Sequence, residues 1–328
     1  MNSFDETDEF ASLVRRASIL LSAGISPSAA WGFLAEGYAE QSDGDENREV
    51  PKSKGAPIGK VAQYVAVRAT TQPVSISIRD SIPINFDKPD NSGKSEELWR
   101  LLGLCWEVAE TVGAPLAASL DVLADSIQEI SQTHREIAAA LAGPKATSRI
   151  VLMLPLVGLL FGTALGFDLI GILLSNGIGI FCLLVGAALV VTSIFWSRSQ
   201  LRRALRLEAN PGLEFELLEI ALCGGISVSQ AKQVIERAST RFGINTNMSK
   251  TESILMLSQR AGAPIRNLLN AEARFLRRKV QIESRSAISK LAVRQLLPLG
   301  ICVLPAFMLL GVAPIMISIV STVLGASN

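Results

Sequence analysis

The chain reads as an all-α integral membrane protein: two homologous cytoplasmic helical-bundle domains and three transmembrane helices. Three observations predict this class. Charged residues are only 19% of the 328 residues, and mean hydropathy is +0.36. Average soluble chains carry about 25% charged residues. The charges also avoid two long blocks, and short motifs recur in the same order in both halves.

The apolar blocks set the spans. From Ile150 to Ser197 the only charged residue is Asp168, and from Leu296 to Asn328 there is none. A membrane-crossing helix needs about 20 apolar residues. The first block therefore accommodates two spans and the second one, at about 150–167, 177–197 and 298–324. Asp168 falls in the turn between the first two and reads as a solvated loop residue. Residues 1–9 hold Asp5, Glu6, Asp8 and Glu9, which is not the pattern of a signal peptide. Lys and Arg flank the spans on one side only: Arg135, Lys145 and Arg149, then Arg198, Arg202, Arg203 and Arg206, then Arg285, Lys290 and Arg294. The positive-inside rule then places residues 1–149 and 198–295 in the cytoplasm and the C-terminus outside a multi-pass plasma-membrane protein.

The repeat organises the rest. Ser22-Ala23-Gly24-Ile25-Ser26 matches Cys223-Gly224-Gly225-Ile226-Ser227, and Val112-Gly113-Ala114-Pro115 matches Ala261-Gly262-Ala263-Pro264. Gly24, Gly225, Gly113 and Gly262 read as helix-ending turn residues. Ser26 and Ser227 read as N-caps, and Pro115 and Pro264 as first helical residues. The expected divisions are an acidic tail 1–9, helical domain 1 over 10–149, a transmembrane hairpin over 150–197, helical domain 2 over 198–295, and the third span with its outer tail over 296–328. Gly24 and Gly113 are 89 positions apart, whereas Gly225 and Gly262 are 37 apart, so the first copy holds an extra 52 residues at about 41–95. Its Asp, Glu, Ser, Gly and Lys content predicts a disordered loop. The alternation Val74, Ile76, Ile78 leaves a small hairpin within 58–86 as the alternative.

After Pro115, apolar residues at Leu116, Leu120, Leu123, Ile127, Ile130, Ile137 and Leu141, with His134 among them, follow a heptad seam. The seam suits the inner stripe of its own bundle better than a dimer helix. Gly158, Gly162 and Gly166, four apart, form a small-residue helix-packing groove on the first span.

Enzyme signatures are absent. Gly93-Lys94-Ser95 imitates the end of a P-loop, but Lys88 stands where its first glycine belongs. The four cysteines are widely spaced and His134 is the lone histidine, so neither metal nor cofactor is expected. Charge is segregated: residues 1–50 hold ten acids and three bases, residues 198–295 seventeen bases and eight acids. The cluster Arg274, Arg277, Arg278, Lys279 and Arg285 reads either as a solvated face near anionic lipid headgroups or as a docking face for an acidic cytosolic partner. Nucleic acid is not expected, because no aromatic residues interleave with these bases.

The Gly-Ile-Ser and Gly-Ala-Pro turns, duplicated and ordered against three spans, resemble the type II secretion system F family of inner-membrane platform proteins. The stretches Leu154-Pro155-Leu156-Val157-Gly158 and Leu304-Pro305-Ala306-Phe307-Met308 are similar to the B/C-type membrane proteins of its Tad (tight adherence, Flp pilus) branch. The resemblance covers about 10–40 and 97–324. It implies a non-enzymatic subunit that couples a cytosolic pilus-assembly or secretion ATPase to pilin movement. It also implies a homo- or hetero-oligomer with a second platform subunit, among membrane lipids. A transporter or channel component and a membrane-tethered signalling scaffold are the alternatives.

Overall fold

A computed structural model describes residues 3–43, 58–85, 93–164, 171, 177–204, 211–294, 297, 299–313 and 316. Among these there is no strand. The helices are α1 (Ser3–Ser22), α2 (Pro27–Asp43), α3 (Ile58–Arg68), α4 (Val74–Asn85), α5 (Gly93–Val112), α6 (Leu116–Ala164) and α7 (Gly177–Ala204). There follow α8 (Leu213–Cys223), α9 (Val228–Phe242), a short 3-10 turn (Met248–Thr251), α10 (Glu252–Ala261), α11 (Ile265–Arg294) and α12 (Leu304–Phe307). Two compact units result: residues 1–135 with 209–279, and residues 136–208 with 280–328.

The turn glycines behave as their spacing predicts. Gly24, Gly113, Gly225 and Gly262 all adopt left-handed φ, between +63° and +83°. At Gly24 the Ile25 N–H donates to the Leu20 carbonyl and the Gly24 N–H to the Leu21 carbonyl, which caps α1 in a Schellman arrangement. Ser227 caps α9 in a capping box with Gln230. Pro115 and Pro264 sit one position earlier than expected, just outside α6 and α11. There their carbonyls accept the first helical bonds, from Ser119 and from Asn267.

Two expectations are overturned. The first concerns the insert over 41–95. Residues 58–68 and 74–85 are helices with buried faces, not a disordered loop or a hairpin. Ile58, Val61, Ala62 and Val65 are spaced i, i+3, i+4, i+7, and Val74, Ile78 and Ile82 are spaced four apart. The same isoleucines and valine satisfy periods of two and of four, and tertiary burial selected the helical one. Residues 44–57 and 86–92 lie outside the described residues.

The second correction concerns the two separate helical domains. Residues of both copies share one apolar core. The short helix α8 is buried on every face from Leu213 to Ala221, so it is not a surface element of a small independent bundle. Helices α5 and α9 approach closely enough that a Cβ at Gly103 would meet the Phe242 ring at 2.3 Å. Arg100 donates to the Phe242 carbonyl at 3.3 Å, and Arg241 pairs with Glu107 at 2.5 Å. Three of the four tryptophans, Trp31, Trp99 and Trp106, stack with ring centroids about 6 Å apart at the centre of copy one.

The heptad seam of α6 lies in this core at Leu120, Leu123 and Ile127, so it packs within its own unit. The His134 side chain lies outside the described residues. In the second unit, one described helix segment, Gly179–Ser197, is long and apolar enough to cross a membrane; Gly300–Val312 is apolar but shorter. Asp168 and parts of the first and third expected spans lie outside the described residues.

The close contact at Gly224 gives a stability test. A Cβ there would lie 2.3 Å from the Val112 carbonyl oxygen, and backbone cannot swing aside as a side chain can. Gly224→Ala should destabilise the chain by about 1–3 kcal/mol, as overpacking does. Gly32→Ala, on α2 with open space around it, should instead stabilise by about 0.5–1 kcal/mol. Denaturant midpoints of the purified chain in detergent measure both.

Candidate functional site

The cluster of five bases is divided by the fold. Arg274, Arg278 and Lys279 are exposed on α11, and none has an ion pair among the described residues. Arg285 belongs to the second unit, where its guanidinium pairs with Glu136.

Arg277 is a correction to the expected docking set. Its side chain is 12% exposed and is held between Glu129 (2.6 Å) and Glu216. It also donates to the Ser126 hydroxyl at 2.8 Å, and that hydroxyl in turn donates to Glu216. The reason is helical phase: Leu269, Ala273 and Arg277 are four residues apart, and the first two are buried. Arg277 therefore faces inward while its neighbours on either side, Arg274 and Arg278, face solvent.

Glu216 is one of three acids on the buried helix α8. Glu214, Glu216 and Glu219 are each 6% exposed. Each meets its own base: Lys250 at 3.2 Å from Glu214, Arg277 at Glu216, and Arg266 at 3.0 Å from Glu219. Burial pushes the Glu216 carboxyl above its ordinary value, against the opposing pull of Arg277 and the Ser126 hydroxyl. Burial likewise pushes the Cys105 thiol up, so it is unsuited to nucleophilic chemistry. Sequence reasoning missed this cluster. Its signal was present in Leu213-Glu214-Phe215-Glu216-Leu217-Leu218-Glu219, where acids interrupt an otherwise apolar helix.

In the second unit the small-residue groove has a partner. A Cβ at Gly158 would lie 2.9 Å from the Phe307 ring, so this glycine admits the aromatic side chain within the same chain. The burial of Gly162 and all of Gly166 lie outside the described residues. Gly186 on α7, not anticipated, plays the same part toward Leu310, at 2.6 Å from its added Cβ. π-helical turns at Leu299–Val303 and Met308–Val312 bracket Pro305. The outward positions are large and apolar, Leu160, Phe161, Phe181 and Phe195 among them. Water-facing surfaces rarely present so many together.

Among the described residues no group of three or more metal-ligating side chains converges. Searches against protein-family models, curated proteins and solved structures match nothing to this chain.

The ion network predicts two distinct responses. Arg277→Met leaves Glu216 buried without its base and should cost about 3–5 kcal/mol, whereas Arg278→Met should cost less than about 0.5 kcal/mol. A carboxyl whose folded pKa is raised contributes stability below its ordinary 4.5 and loses that contribution as pH rises through the folded value. The stability difference between Glu216→Gln and the parent should therefore move in the variant's favour from pH 4 upward. Denaturant titrations at pH 4 to 7 read the sign.

Proposed function

We propose that the chain is a non-enzymatic, multi-pass platform subunit of the plasma membrane that serves a Tad-type pilus or type II-like secretion machine. It couples a cytosolic assembly ATPase to pilin movement. Residues 1–149 and 198–295 lie on the cytoplasmic side, three helices cross the bilayer, and the C-terminus is outside. A homo- or hetero-oligomer with a second platform subunit completes the machine.

The observation that carries this reading is α6. It is one helix of 49 residues that begins among the ion-paired core residues of the first unit. It ends beside exposed Val157, Leu160 and Phe161, whose apolar side chains suit a lipid environment. A helix with ion-paired acids, Asp121 and Asp125, near its start and exposed apolar residues near its end suits a subunit that works both in the cytosol and in the membrane. The segregated charge adds a docking surface. The exposed bases Arg274, Arg278 and Lys279 form a face for an acidic partner.

The turns on which the type II secretion F resemblance rests fold alike in both copies, with Gly24, Gly113, Gly225 and Gly262 all left-handed. Deletion of the gene should abolish surface pili while pilin accumulates in the membrane, and the tagged chain should co-purify with the assembly ATPase. It should also stay with membranes through alkaline carbonate washing. Release into the wash, or pili made at normal levels without the gene, would overturn the reading.

A further inference from the structure

Two helix faces of the first unit carry exposed charges of opposite sign. On α2, Ala29, Phe33, Glu36, Gly37 and Glu40 are exposed and share one face by their three- and four-residue spacing. Neither Glu36 nor Glu40 has an ion pair among the described residues. The last turn of α2 holds no base, so Glu40 sits uncompensated at the negative end of its helix dipole. On α11, Ala271, Arg274, Phe275, Arg278 and Lys279 are exposed in the same way.

The two faces match in form as well as in charge. Each centres on one exposed aromatic ring, with Phe33 at 55% and Phe275 at 59%. Each has a small residue beside the ring, Gly37 on α2 and Ala271 on α11, which leaves room for an opposing side chain. By helical rise the α2 stripe from Ala29 to Glu40 is about 17 Å long, and the α11 stripe from Ala271 to Lys279 about 12 Å. An exposed aromatic ringed by charge is the usual composition of an interface anchor.

We propose that the acidic α2 face of one copy docks on the basic α11 face of a second copy of this chain. This names the occupant of the basic face and rests on reading that face as a docking surface. A second copy supplies the complementary charge at one shared spacing: Glu36 and Glu40 are four residues apart on α2, as Arg274 and Arg278 are on α11. Made twice reciprocally the contact closes as an isologous dimer, and propagated head to tail it closes as a ring.

Charge exchange tests this on the full chain in detergent, with mass read by light scattering and folding checked by circular dichroism. The parent should run as two or more copies. Glu36→Arg with Glu40→Arg should weaken association about tenfold or more, and so should Arg274→Glu with Arg278→Glu and Lys279→Glu. Mixing the two variants should restore assembly, since each then meets the opposite sign on the other. A parent of single-copy mass, variants that keep the parent's mass, or a mixture that stays dissociated would each overturn the contact. A single-copy chain still needed for pili would overturn the contact and leave the platform reading standing. Assembling copies in cells that make pili without the gene would do the reverse.

Discussion

A glutamate with almost no access to water, Glu216, dictates much of how the first unit is put together. A buried carboxylate is tolerated only with a cation and hydrogen bonds in reach. Here the cation is Arg277 and the hydroxyl is Ser126. These three residues come from α8, α11 and α6, so the ion pair lies within copy two and the Ser126 hydroxyl ties it to copy one. Glu129, on α6, shares the same guanidinium and strengthens that tie. Without α8 or α11 a buried charge is stranded, and without α6 the pair loses the Ser126 hydroxyl and Glu129. Neither copy, taken alone, carries the full set.

Packing reinforces what the charges require. Gly224 lets its turn approach the Val112 backbone, and Gly103 admits the Phe242 ring. Both contacts run between the copies, and both depend on the absence of a Cβ. The Arg241–Glu107 and Arg100–Phe242 contacts close the same seam from its edge. The result is a body in which the two repeats build one core. The second unit relies on the same glycine device, at Gly158 and Gly186, with Phe307 and Leu310 as the inserted side chains.

The two copies are not equally clothed. Copy one has α3 and α4 against its core, with Val74, Ile78 and Ile82 buried. Copy two has no such insert, and α10 keeps Leu255 as its buried residue while Met256 and Leu257 stay exposed. The position equivalent to Leu257, counted from the two Gly-Ala-Pro turns, is the fully buried Val108. The equivalent position is thus core in one copy and surface in the other.

The all-helical class was legible in the sequence alone. So were the four left-handed turn glycines, the Ser227 cap, the apolar blocks and the segregation of charge. Each of these is a local property: a turn needs a residue that tolerates positive φ, a cap needs a hydroxyl three residues from an N–H, and apolar runs declare themselves by composition. The merging of two copies into one core, the folding of residues 58–85 as helices and the inward turn of Arg277 were decided only by tertiary structure. In all three the local signal was ambiguous. Valines and isoleucines spaced at two and at four fit strand or helix, and a base among bases fits solvent or core. What resolved them was which residues from distant parts of the chain came to lie opposite. Burial of α8 demanded a base for Glu216, and Arg277 was the one whose helical phase pointed inward.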